Sequence, residues 1–234
     1  MSPFLKIVEN EVQLVCLAFM AVVYAVRIVW IFHFRSSRER GLAEGSSVRG
    51  AGYALAGVAM PGVMESLRRK PLFYVQFVIF HIGVAAAISA TFIIPYAPRL
   101  FEIRPVVLAF QAVIGAAAVV GVLRLIRRLR DPRLRAVSKP DDYAAIILMI
   151  LFFAAGVLAV PNRWQQSEAP LIAFFALTAF FLVYVPFSKI GHYLYYPFIR
   201  CDLGRSLGHR GVLPPARRGH PPAASDRRAA GRTS

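Results

Sequence analysis

Five histidines punctuate the chain, and their settings differ. His33 closes the first long apolar run, His209 and His220 fall in a polar tail, and only His81 and His192 lie inside apolar runs. An ionisable side chain at that depth is costly to place in hydrocarbon and marks a position with a partner. His81 is ten residues in from Pro71 and His192 eight residues in from Arg200, about 15 and 12 Å at the helical rise. Two neutral imidazoles at one level on two helices can each give an axial nitrogen to one iron, with a flat macrocycle slotted between the helices. Gly83 and Gly191 remove bulk beside the two histidines, as such a ring requires, and Phe77, Phe80, Phe187 and Tyr193 are available to wall its edges. Arg124, Arg127 and Lys189 supply cations for its carboxylates. Each histidine taken alone has a plainer role, bonded to a neighbouring carbonyl or hydroxyl. The matched pair favours the ligand role.

Other chemistry is not written here. Cys16 and Cys201 form neither a C-x-x-C pair nor the C-x-x-C-H of covalent haem attachment, which argues against disulfide scaffolds, zinc sites and c-type cytochromes. There is no paired-carboxylate site, phosphate-binding glycine loop or nucleophile elbow, so no catalytic side chain is expected. Gln76, Gln111 and Thr178 are isolated polar residues in apolar runs and read as interhelical hydrogen bonds; the paired phenylalanines 152–153, 174–175 and 180–181 read as packing or lipid-facing.

The elements that carry the histidines follow from composition. Of 234 residues, 57% are hydrophobic and 17% charged, and the mean hydropathy is +0.55. That balance predicts an all-α integral membrane bundle rather than a basic nucleic-acid binder, despite the formal charge of +16. Five runs are long enough to cross about 30 Å of hydrocarbon: Val12–Phe34, Pro71–Pro95, Pro105–Ile126, Tyr143–Val160 and Leu171–Phe198. Basic residues fix their orientation. Segment 35–70 carries seven Lys/Arg, segment 124–142 seven and the stretch from Arg200 eight, together 22 of the 28. The N-terminus is therefore expected outside and the C-terminus in the cytoplasm. The first run is too long and too weakly flanked by positive charge for a cleaved leader, and reads as a retained span.

Residues 1–202 thus form the five-helix domain, with the cytoplasmic loop 35–70 carrying an interfacial segment around Tyr53–Leu67. From Leu203 to Ser234 the chain is rich in Pro, Gly and Arg, and its composition predicts a disordered basic tail.

Phe80-His81-Ile82-Gly83 and Pro186-Phe187-Ser188-Lys189-Ile190-Gly191-His192 resemble the paired motifs of the gamma subunit family of respiratory nitrate reductases. That family of membrane cytochromes b includes subunits of heterodisulfide-reductase-like and sulfite-reductase-associated complexes. The resemblance covers about residues 5–200 and extends to the five-span layout. It implies two b haems on four histidines, but the places of the second pair hold Thr91 and Phe174, so one haem b is expected, ligated by His81 and His192. The closer likeness is to the single-haem relatives. What it implies is a multi-pass subunit of the inner (plasma) membrane that passes electrons between membrane quinone and a cytoplasmic iron-sulfur subunit. The basic loops suit an acidic partner. Gln76, Ser188 and Lys189 are the candidates to hold a quinone head group, with Tyr74 and Tyr193 as walls. A haem-free membrane anchor for a cytoplasmic enzyme is the alternative, and a small transporter a third.

Overall fold

The computed structural model describes residues 1–33, 41–59 and 70–215, and within them the chain is helical, with no strand. The elements are α1 (Pro3–Glu9), α2 (Glu11–His33), α3 (Ser47–Ala59), α4 (Pro71–Tyr96), α5 (Arg104–Arg130), α6 (Pro132–Val137), α7 (Pro140–Ala159), α8 (Ala169–Tyr184) and α9 (His192–His209). Short 3-10 turns occupy Pro98–Glu102, Val185–Phe187 and Lys189–Gly191. Among the described residues, five stretches are long and apolar enough to cross a membrane: Pro3–His33, Pro71–Tyr96, Arg104–Arg130, Pro140–Ala159 and Ala169–Phe187.

The helix starts follow local chemistry. Proline occupies the first turn of α1, α4, α5, α6, α7 and α8, where its missing N–H would have no helical partner anyway. Asp142 accepts a hydrogen bond from the Lys139 N–H at 2.8 Å and, with Asp141, puts negative charge on the first turn of α7. At the opposite pole of a neighbouring helix, Arg127, Arg128 and Arg130 occupy the last turn of α5. The end of the bundle marked by Pro71, Arg130 and Pro140 is called the basic end below.

The chain folds into two compact units. The first holds the described residues of 1–35 and 65–194, the second those of 36–64 and 195–234. In the first unit α4 packs on α5, α5 on α7, α7 on α8 and α8 on α2. The α4–α5 seam is set by small residues: Gly83, Ala87 and Ala90 on α4 are buried, as are Ala117 and Gly121 on α5. Such spacing lets two helices approach closely in lipid. Between α7 and α8 the core is aromatic. Phe152 stacks on Phe174 at 5.3 Å and meets Phe181 at 5.2 Å, and Phe153 meets Phe80 of α4 at 5.2 Å. Phe174 and Phe175 are fully buried, so these pairs pack, whereas Phe180 is exposed.

In the second unit α3 crosses the C-terminal part of α9 through glycine. A Cβ on Gly204 would stand 2.6 Å from that of Ala54, and one on Gly208 would stand 2.8 Å from the Gly50 Cα. This unit departs from the composition-based boundary: the helix runs on through Leu203 to His209, with Gly204 and Gly208 buried against α3. The proposed tail beyond residue 215, and residues 60–67 of the interfacial segment, lie outside the described residues.

Candidate functional site

His81 sits midway along α4 on its outward face. Its Nδ1 is 2.8 Å from the Phe77 carbonyl one turn back, and its ring is 4.0 Å from that of Phe77. A carbonyl only accepts, so in the neutral imidazole Nδ1 carries the proton and Nε2 keeps its lone pair. His192 opens α9, with its Nδ1 3.0 Å from the Lys189 carbonyl, and the same logic leaves its Nε2 unprotonated. Neither Nε2 has a hydrogen-bond partner among the described residues. Metal-binding histidines are typically fixed in this way, one nitrogen held by a backbone carbonyl and the other turned to the metal.

The fifth run is broken where the sequence reading had it continuous to Phe198. Helix α8 ends at Tyr184, two 3-10 turns follow, and α9 begins at His192. Pro186 lies in the first of those turns and cannot supply an N–H to a continuing helix. At Gly191 the chain folds back so tightly that a Cβ would stand 2.8 Å from the Val185 carbonyl oxygen. The break changes the relative depth of the histidines. His81 follows Phe80, whose ring meets Phe153, eleven residues or about 16 Å along α7 from Asp142. Lys189, three residues before His192, places its Nζ 2.8 Å from Asp142 itself. His192 therefore stands nearer the basic end than His81, beyond the spanning stretch that ends at Phe187, and the equal depth expected from residue counting does not hold. The lean of the His81 ring toward Phe77, itself nearer that end, shortens the offset.

The other candidate residues fall into two groups. Arg124, half buried, lies over the ring of Phe80, the residue before His81, at 4.8 Å, and Arg127 lies over Phe73 at 4.1 Å. Neither forms an ion pair with a carboxylate among the described residues. Gly83 and Gly191, in contrast, have packing reasons of their own: a Cβ on Gly83 would fall 2.1 Å from that of Ala117. Lys189 is held by Asp142 and lies 4.0 Å from Asp141. Ser188 donates to the Val185 carbonyl and accepts from the Ile190 N–H, capping the second 3-10 turn. Gln76, half buried, keeps its amide without a partner among the described residues. Gln111 donates to the Val157 carbonyl at 2.9 Å, the interhelical bond expected of it, while Thr178 donates to Phe174 within its own helix.

Sequence reasoning missed the acidic side of this end. Tyr184 donates to Asp141 at 2.9 Å, Arg128 lies 3.5 Å from Asp142, and Arg128 also donates to Ser138 at 2.7 Å. The signal was present as Asp141-Asp142 at the start of an apolar run. Away from the histidines, a cleft of about 250 Å³ opens between α5, α7 and α8, lined by Gln111, Leu158, Arg163, Gln166 and Leu171.

Fold and composition define a helical protein of the multi-pass membrane type, with a pair of outward-turned imidazoles on two of its helices. The sequence matches no family model and no curated protein.

Proposed function

We propose that this chain is the membrane-anchoring cytochrome b subunit of a multisubunit oxidoreductase, passing electrons between quinone in the bilayer and an iron-sulfur subunit on the cytoplasmic face. One haem b is held by His81 and His192. The observation that carries this reading is the shared state of the two imidazoles: each has Nδ1 committed to a backbone carbonyl and Nε2 without a partner among the described residues. At His81, within a spanning helix, a polar nitrogen left so calls for a ligand. Arg124 supports it, because a guanidinium within a spanning helix and without a carboxylate partner among the described residues suits a propionate. When bound, the haem supplies a reversible one-electron iron couple. The chain's own residues orient the imidazoles, exclude water with Phe77 and Phe80, and offset the propionate charge with Arg124 and Arg127.

For the quinone, Gln76 is the candidate with an uncommitted donor, since Lys189 and Ser188 are engaged elsewhere. The basic end faces the cytoplasm of the cell's inner membrane and offers positive charge to an acidic iron-sulfur partner.

The test is the dithionite-reduced minus oxidised spectrum of the purified protein, with pyridine haemochrome quantification. The expected result is a b-type spectrum at a stoichiometry near one, lost in His81→Ala and in His192→Ala. No b-type signal, a value near two, or retention of the signal in both variants overturns the assignment. The first of these outcomes leaves a haem-free anchor.

A further inference from the structure

His192 is presented by two short 3-10 turns, the seven residues Val185–Gly191. Val185 and Pro186 are buried and the Phe187 ring lies 6.2 Å from that of Phe19, and four further contacts shape the segment. Tyr184 at its start is tied to Asp141, Ser188 caps its second turn, Gly191 closes against Val185, and the Lys189 ammonium reaches 2.8 Å to Asp142 on α7. The last contact connects directly to the histidine, because the residue whose ammonium is held by Asp142 is also the residue whose carbonyl accepts from His192 Nδ1. Carboxylate, lysine and imidazole form one chain: Asp142 fixes where Lys189 lies, and Lys189 fixes how the ring is turned. An ion pair with a half-exposed lysine contributes little to stability, so placement is the task it suits.

We propose that the Asp142–Lys189 ion pair positions His192, setting the orientation of its imidazole through the Lys189 backbone. Asp142 and Lys189 are positioning residues and touch no ligand themselves. Arg128, 3.5 Å from the same carboxylate, holds Asp142 from α5 and links the device to the body of the bundle. As a statement about a haem ligand, the proposal rests on the reading of His81 and His192 given above.

The test uses the full chain in detergent, with two single variants that break the pair, Asp142→Asn and Lys189→Met, and a charge-keeping control, Lys189→Arg. Asparagine has one acceptor oxygen for the Lys139 N–H, so the first variant keeps the cap of α7 and loses both the charge and the oxygen that accepts from Lys189. Both single variants are expected to fold with an unchanged helical spectrum and to bind haem about 10-fold more weakly or worse, as when a group orienting a metal-bound histidine is lost. They are also expected to shift the low-spin ferric resonance, which reports the angle between the two imidazole planes and which a stability role alone would not move. The control Lys189→Arg, whose guanidinium still reaches Asp142, keeps both. Parental affinity and an unmoved resonance in both single variants would overturn the proposal. So would a control no better than the single variants.

The haem reading is separable by a second readout, carbethoxylation of His192 relative to His81, followed by mass spectrometry. A parental protein with no b-type spectrum sinks the haem reading alone. Positioning is then decided by whether the His192 rate changes in Asp142→Asn and Lys189→Met and stays parental in Lys189→Arg. An unchanged rate in both single variants overturns it.

Discussion

At the scale of single residues, the histidines stood out because ionisable groups in apolar runs are rare and conspicuous, and in the fold each has its Nδ1 on a backbone carbonyl. The glycines beside them were legible only as absences of bulk. A missing side chain does not say what fills the space, and at Gly83 the neighbour is Ala117 rather than open room. This gives a sharp expectation. Gly83→Ala puts a Cβ within 2.1 Å of another, so the α4–α5 seam must open, at a cost typical of overpacking, about 1–3 kcal/mol. The thermal midpoint of the detergent-solubilised protein should fall accordingly, and Ala117→Gly in the same chain should recover most of the loss. If the second substitution recovers nothing, the space at Gly83 is not set by α5.

At the scale of elements, the apolar runs gave four helices nearly residue for residue and misread the fifth. Hydropathy does not distinguish a straight helix from a broken one, because a chain of Val, Pro, Phe and Ile is equally apolar in both. Pro186 was the visible sign, and Gly191, whose close approach to Val185 is a three-dimensional fact, was not. A second pairing of elements that sequence could not show ties the first turn to α8. The Ser2 hydroxyl and N–H both donate to Glu168, and those bonds hold its carboxyl below the ordinary 4.5. A carboxylate with a depressed value in the fold stabilises it above the unfolded value, and that contribution is lost as pH falls through the folded one. Backbone hydrogen-exchange protection in α1, taken relative to the intrinsic rate at each pH, should therefore fall below pH 4.5, and Glu168→Gln should flatten that dependence. Equal pH dependence in parent and variant would show that the tether does not act through this charge.

At the scale of the whole molecule, charge is the one property that orders everything else. Three alternate segments hold 22 of 28 basic residues, and in the first unit Arg127, Arg128 and Lys189 lie at the same end as the acidic start of α7. Retention of Lys and Arg on the cytoplasmic side is the basis of the proposed direction of every span. In that orientation His192, the Asp142–Lys189 pair and Arg124, which has no carboxylate partner among the described residues, would lie in the cytoplasmic half, where the proposed one-electron carrier is close to a docked soluble partner. The opposite orientation would put the same machinery against the outer face and leave no route to a cytoplasmic subunit. Reporter domains fused after Arg163 and after Arg205 separate the two, because those positions fall on opposite sides of an odd number of spans. The expected result is an externally active reporter at Arg163 and a cytoplasmically active one at Arg205. The reverse pattern would take the electron-transfer reading with it, since the haem ligands would then face the wrong compartment, while leaving the bundle and its ion pairs untouched.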